Sequence, residues 1–211
     1  MKFMDLQHRM RRRALFSFED LHLDRGSTRA ESVQLSHWVK ERKVVRLRRG
    51  VYTLGLDYRD AGPSALEVAE PLYRPSYVSL EYALSYYGLI PDAAHMITSV
   101  TTLKTAHFEN PLGRFDYRHV DPRYFFGFER VAKPALHWLA WPEKALLDFI
   151  YLRIQSLKAL TPNALLEGYR LQNLDMLRPG RLRDVLRRFP HPRVQQGGRI
   201  LLDIMRGGGN S

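Results

Sequence analysis

The sequence predicts an α+β fold, in which an N-terminal winged helix-turn-helix domain precedes a larger C-terminal domain of mixed α/β structure. Apolar residues recur at helical spacing through the first 42 positions. Two β-branched runs, Val44–Leu47 and Val51–Leu54, then flank a turn that contains glycine, which is typical of a hairpin. Beyond residue 63, short strand candidates are interspersed with longer helical segments, which predicts a small sheet with several helices around it.

The first domain is predicted to span residues 1–55. Its first helix covers residues 2–15, because Phe3, Leu6 and Met10 recur three to four residues apart. A second, short helix is predicted from Ser17 to about residue 26, and a third from residue 27 or 28 to about residue 42. Three helices followed by a hairpin in this order are typical of a winged helix.

The rest of the chain divides into a linker, a second domain and a tail. Residues 56–63 contain Asp, Arg, Gly and Pro and are predicted to form the linker. Residues 64–206 form the C-terminal domain. Its predicted strands cover residues 96–101, 104–108, 113–119 and 136–140, and its predicted helices cover residues 64–72, 80–87, 142–154, 161–169, 179–189 and 199–205. The glycine-rich residues 207–211 are expected to be a flexible tail.

Charge is unevenly distributed along the chain. Lys and Arg number 33 against 22 acidic residues, a net charge of +11. Residues 1–55 hold 13 basic and 6 acidic side chains, residues 56–169 hold 11 and 13, and residues 170–211 hold 9 and 3. Two basic ends around a balanced middle indicate a polyanionic partner, of which nucleic acid is the commonest. The alternative is that the arginines only keep the protein in solution.

Several classes of protein are disfavoured. The chain has no cysteine, and no apolar run approaches the length of about 20 residues that spans a bilayer, so we expect a soluble, cytoplasmic protein without a membrane partner. The eight histidines are scattered and form no HExxH pair, and the GxSxG, Walker and GxGxxG motifs are absent. We therefore expect no metal site, no cofactor and no catalytic residues.

The candidate DNA-binding residues lie on the third helix and on the hairpin. At 100° per residue, Leu35, Trp38 and Val39 share the side of the helix that is expected to pack inward. A recognition helix needs a polar, partly basic side opposite, and the hairpin needs cations near its tip to meet phosphates. The candidates are Arg29, Val33, Ser36, His37 and Lys40 on the helix and Arg46, Arg48 and Arg49 on the hairpin. A solvated helix face is the simpler alternative, and His37 could equally be a packing residue.

Three segments, taken together and in this order, resemble the AbiEi antitoxins of abortive-infection toxin–antitoxin systems. They are Val45–Tyr52, which reads VRLRRGVY; Pro75–Leu84, which reads PSYVSLEYAL and is followed by Gly88-Leu89; and Trp141–Asp148, which reads WPEKALLD. The likeness extends from residue 16 to about residue 180. The basic segment Lys2–Arg13 and the basic C-terminal segment lie largely outside it, and they either add DNA contacts or bind something else.

The resemblance implies a repressor that is also an antitoxin. The winged helix of such proteins binds inverted repeats upstream of their own operon and represses it. We expect this chain to bind such repeats in double-stranded DNA as a homodimer or as a cooperative pair. Their C-terminal domain opposes a companion nucleotidyltransferase-like toxin, without requiring a stable complex. On this chain the implied DNA contacts are Arg29, Lys40, Arg46, Arg48 and Arg49, while the residues of the other two segments that stand out, Ser79, Glu81, Glu143, Lys144 and Asp148, are interpreted as structural.

Two other classes of function stay open at the level of sequence. One is a nuclease-like enzyme that the basic N-terminal domain delivers to DNA, although no carboxylates cluster at a recognisable Mg²⁺-binding spacing. The other is a protein-binding module whose winged helix contacts a partner protein instead of DNA.

Overall fold

The computed structural model describes residues 2–18, 20 and 28–207, except for the side chains of residues 28, 29 and 157. The fold is α+β, as predicted. The described helices are α1 (Phe3–Met10), α2 (Thr28–Lys40), α3 (Ala65–Leu72), α4 (Leu80–Tyr86), α5 (Pro142–Arg153), α6 (Pro179–Arg188) and α7 (Pro192–Gly207). The described strands are β1 (Phe16–Ser17), β2 (Val44–Arg48), β3 (Val51–Leu54), β4 (Ser76–Val78), β5 (Ile97–Thr101), β6 (Ala106–Asn110), β7 (Gly113–His119), β8 (Phe128–Val131) and β9 (His137–Ala140).

The N-terminal part, called the head here, comprises the described residues up to residue 55. Its antiparallel sheet has the order β1-β3-β2, and a bulge interrupts the β2–β3 pairing between Arg46 and Arg48. Leu35 and Trp38 of α2 pack with Val44 and with α1 in a separate small core. The described core residues of the head are Leu6, Met10, Phe16, Leu35, Trp38, Val44 and Leu54.

The C-terminal part, called the body here, contains a six-stranded mixed sheet of order β6-β7-β5-β4-β9-β8. Its centre combines antiparallel and parallel neighbours, since β4 pairs antiparallel with β5 and parallel with β9, where Val78 faces Leu139. The strands β5 and β7 are also parallel. Helices α3, α4 and α5 pack against this sheet, and α5 in turn packs against α6 and α7. The body core is therefore much larger than that of the head.

The head and body are in direct contact through the hairpin. Leu47, the penultimate residue of β2, is 4% exposed and belongs to the apolar core of the body. The predicted linker also packs on the head, because the ring of Tyr58 lies 4.9 Å from that of Phe3 and its carbonyl oxygen accepts a hydrogen bond from Gln7 Nε2 at 3.4 Å. The predicted linker segment thus packs against α1, and one face of the hairpin lies against the body.

Some elements differ from the prediction. The first helix ends at Met10, because the arginines that follow bring no apolar side chain to the core and two of them form ion pairs with Asp20 and Asp60 instead. The strands β1, β4 and β8 were not predicted, and β1 includes Ser17, where the second helix was expected to begin. The final helix begins at Pro192, seven residues earlier than predicted. Most of the predicted second helix and residues 208–211 of the predicted tail lie outside the described residues, so the winged helix stays a prediction.

Ser79 occupies the N-cap position of α4 without a side-chain cap hydrogen bond. Its hydroxyl donates instead to the carboxylate of Asp148, at 2.9 Å. Among the described helices, none is long and apolar enough to cross a membrane.

Candidate nucleic-acid interface

Helix α2 separates an apolar side from an exposed side. Leu35 and Trp38 are 3% and 6% exposed and anchor the helix in the head core. On the other side, Val33 is 54% exposed, and Ser36, His37 and Lys40 are also exposed. The partition is the one expected from the helical period. The side chain of Arg29, the remaining candidate on this helix, lies outside the described residues.

The exposed side of α2 offers several kinds of contact to a nucleic acid. The Ser36 hydroxyl donates to the carbonyl oxygen of Ser32 at 2.9 Å, which leaves its oxygen lone pairs as acceptors. Lys40 supplies an ammonium group, and Val33 supplies an exposed methyl surface of the kind that can contact a thymine methyl group. The helix thus presents a donor, an acceptor and an apolar group within two turns.

The three hairpin arginines are not equivalent. Arg46 and Arg49 are exposed, and the turn that follows Arg49 is made by Gly50 with a φ of +85°, a conformation that favours glycine. Arg48 is partly buried: its Cζ lies 5.2 Å from the ring centroid of Tyr73 and 5.1 Å from that of Phe108. Its guanidinium group also donates to a body carbonyl oxygen, that of Leu72. The structure therefore separates Arg48, which holds the hairpin to the body, from Arg46 and Arg49, which face solvent.

The basic segment around α1 adds further charge to the head. Arg11 pairs with Asp60 at 2.7 Å and Arg13 pairs with Asp20 at 3.1 Å. Arg12 is exposed, and no ion pair involves it among the described residues. Arg9, Arg11 and Arg12 line an open cavity of about 540 Å³ together with His8 and Asp60. The acids neutralise part of this surface, and Arg12 keeps its charge for an anionic partner.

Charged residues of the motif WPEKALLD lie inside the body core. Lys144 and Asp148 are fully buried and form an ion pair one helical turn apart. Lys144 Nζ also donates to Tyr77 Oη at 2.8 Å, and Tyr77 Oη donates to Asp148 Oδ2 at 2.9 Å. Burial lowers the pKa of Lys144 and raises that of Asp148, while their attraction opposes both shifts. This closed network holds α5 to β4 and accords with a structural role.

A second basic surface, which the sequence reasoning did not resolve into a site, lies on α6. Arg178, Arg181 and Arg188 line a groove of about 600 Å³ beside Phe126 and Trp141. The seven-residue spacing of Arg181 and Arg188 places them on one side of α6, and this spacing was the available sequence signal. What the sequence could not supply is the opposite wall, since Phe126 and Trp141 come from segments that only folding brings near α6.

The described residues contain no cluster of three or more His, Asp or Glu side chains that could hold a metal ion. The candidate residues that face solvent are Val33, Ser36, His37 and Lys40 on α2 and Arg46 and Arg49 on the hairpin. No model of a known protein family matches the chain, and no curated protein matches its sequence.

Proposed function

We propose that this chain is a cytoplasmic DNA-binding transcriptional repressor whose head binds an operator upstream of its own gene. The observation that carries the proposal is the two-sided character of α2, which is anchored by Leu35 and Trp38 and presents Ser36, His37 and Lys40 to solvent. A recognition helix requires this arrangement, since base edges are read by polar side chains on a rigid element.

The proposed contacts divide into two groups. Lys40, Ser36 and Val33 on α2 read base edges in the major groove. Arg46 and Arg49 contact phosphates, which contribute much of the affinity but no sequence preference. Arg48 is assigned a different task here, because its guanidinium group is engaged by Tyr73, Phe108 and the carbonyl oxygen of Leu72.

The proposal extends to the body through the resemblance to AbiEi antitoxins. The segments PSYVSLEYAL and WPEKALLD that carry this resemblance form β4, α4 and α5 at the centre of the body. We accordingly assign the body the task of opposing a nucleotidyltransferase-like toxin. Co-expression with a reading frame of that class next to this gene should restore growth, and continued growth arrest would contradict the antitoxin assignment.

The head assignment is tested by measuring affinity for the upstream duplex and for a scrambled duplex at low and near-physiological salt. The wild-type protein should prefer the upstream duplex at both salt concentrations. The double variant Arg46→Ala/Arg49→Ala should bind both duplexes more weakly. The plot of log K against log salt should also become shallower, with a slope smaller in magnitude by about 2. The matched control is Arg114→Ala/Arg130→Ala, which removes two exposed charges from the body instead.

Four results would contradict this account of the head. Equal affinity for both duplexes would show that the head has no sequence preference. An unchanged salt slope in Arg46→Ala/Arg49→Ala would show that these arginines do not contact phosphates. Cleavage of the upstream duplex in the presence of Mg²⁺ would favour the nuclease-like alternative. If charge reversal at Lys40 left DNA affinity intact but abolished capture of a protein partner, the protein-binding alternative would stand.

A further inference from the structure

The groove on α6 carries a second inference, which does not depend on the proposed DNA-binding function. It has a volume of about 600 Å³ and is lined by Phe126, Trp141, Arg178, Gly180, Arg181, Asp184, Val185 and Arg188. This volume lies within the range of small-molecule sites, about 300–1,000 Å³. A Cβ atom placed on Gly180 would meet no atom within 4 Å, so the first turn of α6 opens directly onto the groove.

Two arginines of the groove are held against aromatic rings. Arg188 Cζ lies 3.9 Å from the ring centroid of Phe126, and Arg181 Cζ lies 5.0 Å from that of Trp141. A guanidinium group stacked in this way uses its face, so the N–H donors in its plane remain free to bind an oxyanion. The rings thus fix the positions of the two cations without satisfying their hydrogen-bonding capacity.

The groove lacks the acids that would neutralise these cations. Within the described part of the chain, the side chains of Arg178, Arg181 and Arg188 take part in no ion pair and no hydrogen bond. Asp184, the carboxylate in the lining, pairs with Arg187, which does not line the groove. Lys144 lies behind Phe126, with its Nζ 5.3 Å from the ring centroid, and its charge is balanced by the ion pair with Asp148.

The groove is lined by three guanidinium groups and by one carboxylate, that of Asp184, which is paired with Arg187. Its concave surface therefore carries excess positive charge. Like charges that line one groove repel one another, and an anion between them reduces this repulsion. Planar guanidinium groups match phosphate oxygens in pairs, which makes phosphate a better partner here than a point anion. Space for a larger group remains beside the aromatic walls, because a single phosphate fills only a small part of such a volume.

We propose that this groove of the body binds a free phosphorylated ligand of nucleotide size. Arg178, Arg181 and Arg188 hold its phosphate groups, and the guanidinium groups on Phe126 and Trp141 offer planar surfaces on which a ring of the ligand stacks.

Calorimetric titration of the full-length protein with ATP and, separately, with inorganic phosphate tests the proposal. ATP should bind the wild type more tightly than inorganic phosphate does. In Arg181→Ala/Arg188→Ala the affinity for ATP should fall at least about tenfold, the effect of losing charge-assisted hydrogen bonds. The matched control is Arg183→Ala/Arg199→Ala, which removes two exposed arginines from α6 and α7 outside the groove and should leave ATP affinity unchanged.

Because the double groove variant also removes packing on Phe126, the single variant Arg178→Ala provides a test without that change. Arg178 is exposed, and among the described groups its side chain makes no hydrogen bond, ion pair or ring contact. This variant should therefore keep the wild-type melting temperature and lose several-fold in ATP affinity. Absence of ATP binding to the wild type, or equal losses in the groove and control variants, would overturn the proposal. Equal affinity for inorganic phosphate would contradict the nucleotide size. A loss of duplex affinity without any binding of ATP would also overturn it, and would make the groove part of the nucleic-acid surface.

Discussion

The head and the body differ in how they place charged side chains, because among the described residues only the body buries some of them. Among the described residues of the head, Thr53 has the one polar side chain that is buried. The described charged side chains of the head are exposed or partly exposed. The body buries Asp116, Glu143, Lys144 and Asp148 almost completely. Removing a charge from water costs several kcal/mol unless a partner compensates it, and each of these four groups accepts or donates hydrogen bonds inside the body.

The difference indicates how each part of the chain uses its charge. A buried pair such as Lys144–Asp148 is inaccessible to a macromolecular partner, so its charges act on the fold of the body. The cations of the head are stabilised by water and stay available to a polyanion. This contrast explains why the residues Lys144 and Asp148 are structural, while Lys40, Arg46 and Arg49 are the better candidates for binding.

The largest effect is expected from breaking the buried pair in the body. Lys144→Met leaves the Asp148 carboxylate buried without its cation, which should lower the free energy of unfolding by about 3–5 kcal/mol. Urea unfolding followed by circular dichroism measures this loss. The double variant Lys144→Met/Asp148→Asn should recover part of it, since an amide oxygen can still accept from Tyr77 and Ser79. A single variant within about 1 kcal/mol of the wild type would contradict the structural role.

A smaller and more local effect is expected in the head core. Leu35→Ala creates a cavity beside Trp38 and Val44 and should cost about 2–4 kcal/mol. Because the head has its own core, hydrogen exchange measured by mass spectrometry should show lost protection in head peptides and unchanged protection in the body. Ser36→Ala, the exposed neighbour on the same helix, is the control. Equal loss of protection in both parts would show that they unfold as one unit and would remove the contrast drawn above.

A still smaller effect is expected from a variant that weakens the contact between the head and the body. Arg48→Ala removes the guanidinium group from the rings of Tyr73 and Phe108 and leaves the carbonyl oxygen of Leu72 without its donor. We expect a loss of about 1–2 kcal/mol in urea unfolding. Arg46→Ala, on the same strand but exposed, should change stability by no more than about 0.5 kcal/mol. If the two variants lost the same amount of stability, the conclusion that Arg48 holds the hairpin to the body while Arg46 faces solvent would be contradicted.

The smallest effect on stability is expected at acidic pH, where the carboxylate of Asp20 becomes protonated. The Asp20 carboxylate accepts hydrogen bonds from the backbone N–H and hydroxyl of Ser17, at 2.6 and 2.9 Å, and the backbone contact is the main reason why its pKa lies below the usual 3.8. A group whose pKa is lowered on folding adds stability above its unfolded pKa, and this stability is lost as pH falls through the folded value. Since the side chain of Asp20 is 35% exposed, water screens the effect to less than about 1 kcal/mol.

The measurement is the difference in melting temperature between the wild type and Asp20→Asn from neutral to strongly acidic pH. The variant should be less stable at neutral pH and should approach the wild type as the solution becomes strongly acidic. Asp57→Asn, an exposed carboxylate in the turn after β3, controls for the loss of one negative charge. A difference that stays constant with pH would contradict the assignment.

Elements with strong local signals could be predicted from the sequence. The strand β7 matches the prediction at both ends, and α5 begins at Pro142, where proline fits the first helical position. The three-residue strand β4 was missed because all of its side chains are buried, which removes the alternation that identifies a strand. The start of α7 was missed because Gly197 and Gly198 read as helix breakers.

Packing explains those glycines. A Cβ atom on Gly197 would lie 2.7 Å from Ile150 Cδ1, and one on Gly198 would lie 2.4 Å from Leu186 Cδ2. Glycine in these places lets α7 approach α5 and α6 closely, which no local pattern reveals. The same limit applies to the candidate site. The helical period assigned the exposed side of α2, whereas the engagement of Arg48 depends on residues from α3 and β6 that only the fold brings together.

The most direct test of the central claim selects preferred duplexes from a randomised DNA pool with the wild type and with Lys40→Ala, at near-physiological salt. The account predicts that the wild type enriches a sequence present as inverted repeats upstream of its own gene. It predicts that Lys40→Ala enriches the same sequence with one or two positions relaxed. If the wild type enriched no common sequence, the exposed side of α2 would not be a reading surface and the repressor assignment would be contradicted.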